Sequence, residues 1–262
     1  MSSSSGEQLR GWVRTARDGA VLTVTLDRAD QLNAQTPATW EALRAVGDSL
    51  DDEVRVVVVQ GAGRSFSAGL DRSLFSAAPD VPGGLGELAT LPAELADERI
   101  RGYQAAFRWL RSPGVVSVAA VQGHAVGAGA QLALACDLRV VAEDAEFRLP
   151  EAVLGLVPDL TGTSTLVELV GYSRAVEICL TGRPVAATEA VAIGLANVAV
   201  PTDQLADAVR DLAAALVAVD VDASRETLAL LRSAVRNDAA TQDAAERAAQ
   251  VRRLHALAAP RR

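Results

Sequence analysis

Along the chain the apolar positions change period several times, and each change marks an element. "VLTVTLDR" (Val21 to Arg28) alternates apolar and polar side chains, which predicts a strand. "TPATWEALRAVGDSLDD" follows with apolar residues at helical spacing, Thr36 placed as N-cap and Pro37 at the first helical position. "VRVVVVQG" (Val54 to Gly61) is an almost unbroken β-branched run, interrupted only by Arg55, as a strand buried on both faces requires. After the loop "GAGRSFSAGLDRSLF", the stretch from Ser76 to Glu94 is rich in glycine and proline and predicts a mobile surface excursion. A helix over "ERIRGYQAAFRWLR" leads through Ser112-Pro113-Gly114 into "VVSVAAVQGHAVGAGAQLALACD", a β-branched run that gives way to small residues and turns helical from about Ala128. A further strand, "DLRVVAED", precedes "AEFRLPEAVLGLVPDLTGTSTLVELVG", and from about Tyr172 the pattern is predominantly helical. Strands alternating with helices predict parallel βαβ units, and the helical tail predicts a cap or an oligomerisation element.

Composition narrows the function classes. Half of the 262 residues are hydrophobic, enough for a substantial core. No apolar run reaches the eighteen or so residues of a membrane span, and "MSSSSGEQLRG" has neither the basic region nor the apolar core of a signal peptide. A soluble, cytoplasmic protein is expected. The net charge of −8 disfavours non-specific nucleic-acid binding. Cys136 and Cys179 stand in no metal-ligand spacing and read as buried free thiols, while His124 and His255 are too few and too far apart for a metal site. The sequence contains no lysine, which excludes lysine Schiff-base chemistry and a Walker-type phosphate lysine. Trp40 and Trp109 fall on apolar helical positions and read as core.

The glycine run "GHAVGAGAQ" admits three readings: a phosphate cradle, a close-packing device, or a site for another negative charge. A dinucleotide fingerprint needs G-x-G-x-x-G; Gly127 and Gly129 fit, but Leu132 occupies the third position. A nicotinamide-dependent dehydrogenase is therefore the weakest of the enzyme readings. Free N–H groups at a helix N-terminus, with the helix dipole behind them and only small side chains around them, favour negative charge in general. "RSFSAGLD" offers a second small-residue turn after a buried strand, and two such donors can grip one carbonyl oxygen.

With these two loops the sequence resembles the crotonase, or enoyl-CoA hydratase/isomerase, superfamily. "LDRADQLNAQT", "VRVVVVQGAGRSFSAGLD", "VAAVQGHAVGAGAQLALACDLRVVAEDAEFRLPEAVLGLVPD" and "GYSRAVEICLTGRPVAATEAVAIGLANVAVP" carry the resemblance in the family's order and spacing. It implies an α/β fold built as a spiral of ββα repeats over residues 1–200, with a C-terminal helical trimerisation region over 201–262. It implies a homotrimer or a dimer of trimers. It implies an acyl-coenzyme A thioester substrate, with coenzyme A part of the substrate and no separate cofactor or metal. The backbone N–H groups of Leu70 and Ala128 then form an oxyanion hole. Leu70 is bulkier than the family's usual residue, and Ala128 replaces a frequent glycine. Ala68 and Asp71 would line the coenzyme path, with a turn or helix cap as the alternative for Asp71. Arg28 and Leu32 would lie near the adenine-side channel, with a solvent-exposed arginine as the alternative for Arg28.

The same resemblance assigns the chemistry. Hydratases of the family place two glutamates on one water; here the Pro-Glu position is present as Pro150-Glu151, but the helix position is Gln131. An amide can orient a water and cannot activate it, whereas moving a double bond needs only one carboxylate to take and return a proton. Glu151 is the expected general base and acid. Asp159 matches an acid of the family's dienoyl-CoA isomerases, or else caps the helix that follows. His124 is expected to pack or hydrogen-bond rather than to react. Double-bond isomerisation of an enoyl- or dienoyl-CoA is the leading expectation. Hydration of a 2-enoyl-CoA and non-catalytic acyl-CoA binding stand as alternatives.

Overall fold

The computed structural model describes residues 7–258; the ends at 1–6 and 259–262, through which the two expected regions run, lie outside the described residues. Strands β1 (Glu7–Leu9), β2 (Val13–Asp18) and β3 (Val21–Leu26) form an antiparallel meander. Its second turn is the pair Gly19-Ala20, with Gly19 at φ +55°, a conformation that glycine adopts without strain. The expected first strand is thus the third. The signal for the hairpin was "RDGAV", a glycine at the first position of a two-residue turn.

Next come α1 (Pro37–Asp48), β4 (Val56–Gly61), α2 (Leu85–Thr90) and α3 (Ala93–Arg108). Thr36 and Pro37 begin α1 as expected, the Thr36 hydroxyl accepting from the Thr39 N–H. The glycine- and proline-rich stretch from Ser76 to Glu94 departs from its expectation. It contains α2 and the first residues of α3, and buried Gly86 packs so tightly on the backbone of Ala77 and Ala78 that a methyl group there would fall 2.5 Å from it. The stretch still lies mostly at the surface, as expected, and the contact that composition did not show is made within it, between Gly86 and the chain at Ala77.

β5 (Val116–Val121), β6 (His124–Val126), α4 (Ala128–Ala135), β7 (Leu138–Ala142), β8 (Glu146–Arg148), α5 (Gly162–Val170) and α6 (Tyr172–Thr181) follow. The helical remainder is interrupted by two short strands missed in the sequence, β9 (Val185–Ala186) and β10 (Val198–Val200), which flank α7 (Ala187–Ala192). Three longer helices, α8 (Leu205–Ala218), α9 (Val221–Ala234) and α10 (Ala239–Ala258), end the described chain. None of the described helices is long and apolar enough to cross a membrane.

The main sheet has the order β1-β2-β3-β4-β5-β7-β10, parallel from β3 onward. Its central strands are buried on both faces, which explains their unbroken apolar runs. Val57, Val59, Ala119, Val121 and Val141 belong to the core that also holds Trp40 and Leu43 of α1 and Phe107 of α3. Val56, Val58, Val118, Ala120, Val140 and Ala142 instead pack under Leu205, Val209 and Ala213 of α8.

After β3, β4, β5 and β7 the chain makes a second, shorter extended segment, and these segments stack beside one another. The Ala68 N–H donates to Leu32 O, Ser67 N–H to His124 O, and Gly127 N–H to Arg148 O, so the segments near 32–35, 66–71, 124–127 and 146–148 form one wall. β6, β8 and β9 are the regular part of it. This is a spiral of strand, strand and helix, repeated in structure with no repeat legible in sequence.

α4 is buried over all eight residues. Its C-terminal end meets Arg139, only 2% exposed, whose guanidinium donates to the carbonyls of Ala133, Cys136, Asp137 and Leu195. No carboxylate pairs with it among the described residues. Burial pushes the Arg139 pKa down to about 10, and the carbonyls of Ala133, Cys136 and Asp137 at the helix end, with that of Leu195, take the place of a counter-ion. Arg139→Leu is expected to leave those carbonyls unsatisfied and to cost about 3–5 kcal/mol. Urea unfolding checks this; a loss below 1 kcal/mol would show that α4 does not need its cap.

Candidate active site

Two loops of the wall meet at the N-terminus of α4. The turn at Gly69 runs so close that a methyl group on that residue would fall 2.3 Å from Val126 O and 3.4 Å from Ala128 N, and its φ of +85° already excludes most side chains. One residue later, Leu70 bridges to Gln35 in such a way that the Gln35 N–H donates to Gly69 O and the Asp71 N–H to Gln35 O. Leu70's own N–H is left without an acceptor among the described residues, as is that of Ala128 at the first position of α4. Two unpaired backbone donors therefore sit on adjacent chain segments. Gly129 lets the helix approach: a methyl group there would fall 2.4 Å from Ser67 O.

A buried polar network holds the first of these loops, and its side chains Asn33, Gln35 and Ser67 were not singled out in the sequence. The Ser67 hydroxyl donates to Asn33 O and accepts from Gln35 Nε2 and Gly69 N–H; Gln35 Oε1 in turn accepts from Trp40 Nε1. Asn33, at φ +55°, donates its amide to Ala62 O and Ser65 O and accepts from the Arg28 N–H. The clue was the density of amides in "QLNAQT", polar groups that a core admits only when paired.

Arg28, Leu32, Ala68 and Asp71 are brought together on the outer side of this network. Leu32 and Ala68 are joined through backbone, and Arg28 pairs with Asp71 while lying 4.2 Å over the Trp12 ring. Trp12 was not anticipated. Asp71 also caps the turn at Arg72–Phe75 through the Ser73 N–H and hydroxyl. These Ser73 contacts, with Arg28, hold its carboxyl below the usual range.

Glu151 opens a short helical turn, Glu151–Leu154, directly after β8 and is 8% exposed. A methyl group on Gly127 would fall 3.5 Å from Glu151 Oε1, so the carboxylate lies beside the residue that precedes the Ala128 donor. Gln131, 1% exposed one turn into α4, donates to that same Oε1 at 2.8 Å. Glu151 Oε2 is buried with no partner among the described residues. Burial raises the Glu151 pKa above the ordinary 4.5; its own backbone N–H and the Gln131 amide oppose the rise, and the Asp159 carboxylate adds to it.

The structure revises the expectation for Gln131. Its carbonyl oxygen accepts from the backbone N–H groups of Leu160 (2.8 Å) and Gly162 (3.4 Å), so that oxygen is already engaged by the protein rather than open to a water. Asp159 comes near Glu151 without a hydrogen bond to it. It lines a cavity of about 450 Å³ between α3 and α5, with Gln104 and Arg108, and burial raises its pKa. It does not cap α5: the N-cap is Thr161, in the left-handed region, with no side-chain bond. The His124 side chain is exposed rather than packed. Trp40, Trp109 and Cys136 are buried as expected, and Cys179 is half-buried.

A family model described as enoyl-CoA hydratase/isomerase matches residues 16–260. The chain is 40% identical over 207 residues to carnitinyl-CoA dehydratase of Salmonella paratyphi A, covering 77% of this chain and 72% of that one. It is 30% identical over 211 residues to a Mycobacterium bovis protein described as an enoyl-CoA hydratase, covering 80% and 76%. Among solved structures, a Thermobifida fusca protein described as an enoyl-CoA hydratase, in complex with CoA, superposes with a TM-score of 0.88 at 46% identity over 95% of each chain. Its complex with acetoacetyl-CoA gives 0.88 at 45% identity over 94% and 95%.

Gly69→Ala is expected to displace the Leu70 donor while leaving the fold assembled. The added methyl must move about 1 Å or more to clear Val126 O, a misplacement worth roughly 10²-fold in rate. Steady-state kinetics against circular dichroism would check it, and an unimpaired variant would show that the close approach at Gly69 is unimportant.

Proposed function

Because the chain belongs to the enoyl-CoA hydratase/isomerase family, we propose that it moves a carbon–carbon double bond in an acyl-CoA thioester through a stabilised enolate. The observation that carries this reading is the single carboxylate beside the Ala128 donor, with one buried, unpartnered oxygen and an amide where a second carboxylate would stand.

In this mechanism the thioester oxygen accepts from the N–H groups of Leu70 and Ala128. Glu151 Oε2 takes a proton from the α-carbon of a 3-enoyl thioester. The C–H electron pair forms a double bond between the α-carbon and the thioester carbon, the carbonyl π pair moves onto oxygen, and the β,γ double bond stays in place as part of a dienolate until the γ-carbon takes the proton. The negative charge rests on the thioester oxygen, where the two N–H groups stabilise it; in other enzymes one such donor is worth about 2.7–4 kcal/mol. Glu151 then returns the proton to the γ-carbon, giving the conjugated 2-enoyl thioester and regenerating the carboxylate. Hydration would need a group to take a proton from water while another protonates the α-carbon. Gln131 cannot take that proton, and its oxygen is engaged by Leu160 and Gly162.

Coenzyme A is part of the substrate in this reading, and no other cofactor or metal is required. Arg28, Leu32, Ala68 and Asp71 flank the coenzyme's path, with Arg28 pre-oriented by Trp12 and Asp71. The protein is cytoplasmic and works as a homotrimer or a dimer of trimers, a reading supported by the apolar side chains left exposed on its last helices, Leu231, Val235, Val251 and Leu254 among them. The relatives' names favour a second reading, hydration of a 2-enoyl-CoA or the reverse dehydration.

A 3-enoyl-CoA should develop the absorbance of a conjugated thioester, while crotonyl-CoA should keep its own. Rapid loss of the crotonyl-CoA absorbance would overturn the isomerase reading in favour of hydration. Glu151→Gln should lower turnover by about 10²–10⁴-fold. Unchanged turnover of every acyl-CoA tested would point to a binding protein.

The same variant makes a pH prediction. The folded protein holds the Glu151 proton more tightly than the unfolded chain does, so wild-type stability falls as pH rises from 4.5 through the raised value. Glu151→Gln escapes that loss, and its melting temperature relative to wild type should climb across this interval. A constant difference would show that the carboxyl is not desolvated.

A further inference from the structure

We propose that Gln131 is a positioning residue whose amide, locked by two backbone N–H groups, makes Glu151 one-sided, tying Oε1 and reserving Oε2 as the single oxygen that exchanges protons with the substrate. The inference rests on Glu151 as the acid and base proposed above and adds what directs it.

An isolated glutamine can present either end of its amide to a neighbour. Here the choice is made from behind. Leu160 N–H and Gly162 N–H are both donors, so only the carbonyl end of Gln131 can face them, at 2.8 and 3.4 Å. The amino end must then face Glu151, where Nε2 stands 2.8 Å from Oε1. Little freedom remains: Gln131 is 1% exposed, and a methyl group on Gly162 would fall 2.8 Å from its Cγ, so only glycine at 162 leaves room for this side chain.

The consequence for Glu151 is an asymmetry between its two oxygens. Oε1 accepts a hydrogen bond from a rigid neutral donor, whereas Oε2 is buried and has no partner among the described residues. A proton placed on Oε2 leaves the Gln131 bond intact, while a proton placed on Oε1 competes with it. One oxygen therefore serves both proton removal and proton return.

The amide also supports the charged form of the carboxylate in a site that otherwise opposes it. Around Glu151, Asp159 from the loop before α5 repels the charge, and the Cys179 thiol of α6 is near enough to have its own ionisation discouraged by Glu151. Among the described residues no arginine pairs with Glu151. Its own backbone N–H and Gln131 are the groups that favour ionisation. A glutamate at 131 would keep the anchor to Leu160 and Gly162, but ionised it could not donate to Glu151.

That difference supplies the test. Gln131→Leu and Gln131→Glu are compared with wild type by the pH dependence of kcat/KM on the thioester that the wild type turns over. The Glu151 carboxyl is titrated in parallel by infrared difference spectroscopy, with Glu151→Gln as the subtraction blank. In both variants the acid limb and the infrared titration should move to higher pH. In Gln131→Leu, kcat should fall by about tenfold to a hundredfold, the worth of one charge-assisted hydrogen bond, with KM little changed.

If Gln131 serves only to hold Leu160 and Gly162, Gln131→Glu will restore the wild-type profile, and that result overturns the proposal. An unmoved infrared titration in Gln131→Glu does the same, so a Gln131→Leu protein that failed to fold would not leave the question open. Because the infrared titration needs no turnover, it separates this inference from the choice between isomerase and hydratase.

Discussion

A helix buried along its whole length has nowhere but the protein to satisfy the backbone groups at its two ends, and α4 is such a helix. Its C-terminal carbonyls are met by a guanidinium that itself pairs with no carboxylate among the described residues, and that exchange ties β7 to the helix end. At the other end the Ala128 N–H is left without an acceptor among the described residues, with Gly127, Gly129 and Ala130 as its chain neighbours. Satisfying one end while leaving the other open turns a packing element into an electrostatic one. The dipole is fixed in direction, the open N–H cannot be occupied by a neighbouring loop, and negative charge that develops beside it is stabilised without reorganisation.

The remaining parts of the site are arranged around that open end. The Gly69 turn brings a second unpaired N–H alongside it, and the buried contacts among Asn33, Gln35, Ser67 and Trp40 keep this turn from relaxing away. On the opposite side Glu151 follows β8, whose Arg148 carbonyl receives the Gly127 N–H, so the residue before the donor and the carboxylate are held by the same strand. Gln131 closes the arrangement from one turn further along α4. Membership of the enoyl-CoA hydratase/isomerase family supplies the class of substrate. In the reaction proposed above, the amide at 131 and its two backbone partners are what would favour the transfer of one proton between two carbons over the activation of water.

Large parts of this were legible in the amino-acid order. Thr36-Pro37 announced the start of α1, the valines of "VRVVVVQG" announced a strand with no exposed face, and the small residues from Gly127 announced an accessible helix N-terminus. Other parts were not. The strands β9 and β10 are only two and three residues long, too short to show a period of their own. The helix α2 lies in a stretch of glycine and proline that orders because Gly86 is seated on the chain at Ala77. Arg139 lay unnoticed in an apolar run, since the sequence does not show that its side chain will turn back on the carbonyls of Ala133, Cys136 and Asp137 and meet that of Leu195.

Position 131 divides the two kinds of knowledge most cleanly. By itself the sequence determined that residue 131 is an amide, at the position where the resemblance implies a hydratase's carboxylate, because that is a matter of covalent identity. It also determined that Glu151 follows a proline and that the lysine-free chain carries no side-chain amine nucleophile. Which way the amide faces was decided only by the tertiary structure. Leu160 and Gly162 lie 29 and 31 residues away along the chain, and their N–H groups reach Gln131 only once α5 has packed against α4. Orientation of a side chain depends on which donors arrive around it, and those arrive through folding rather than through neighbourhood in the chain.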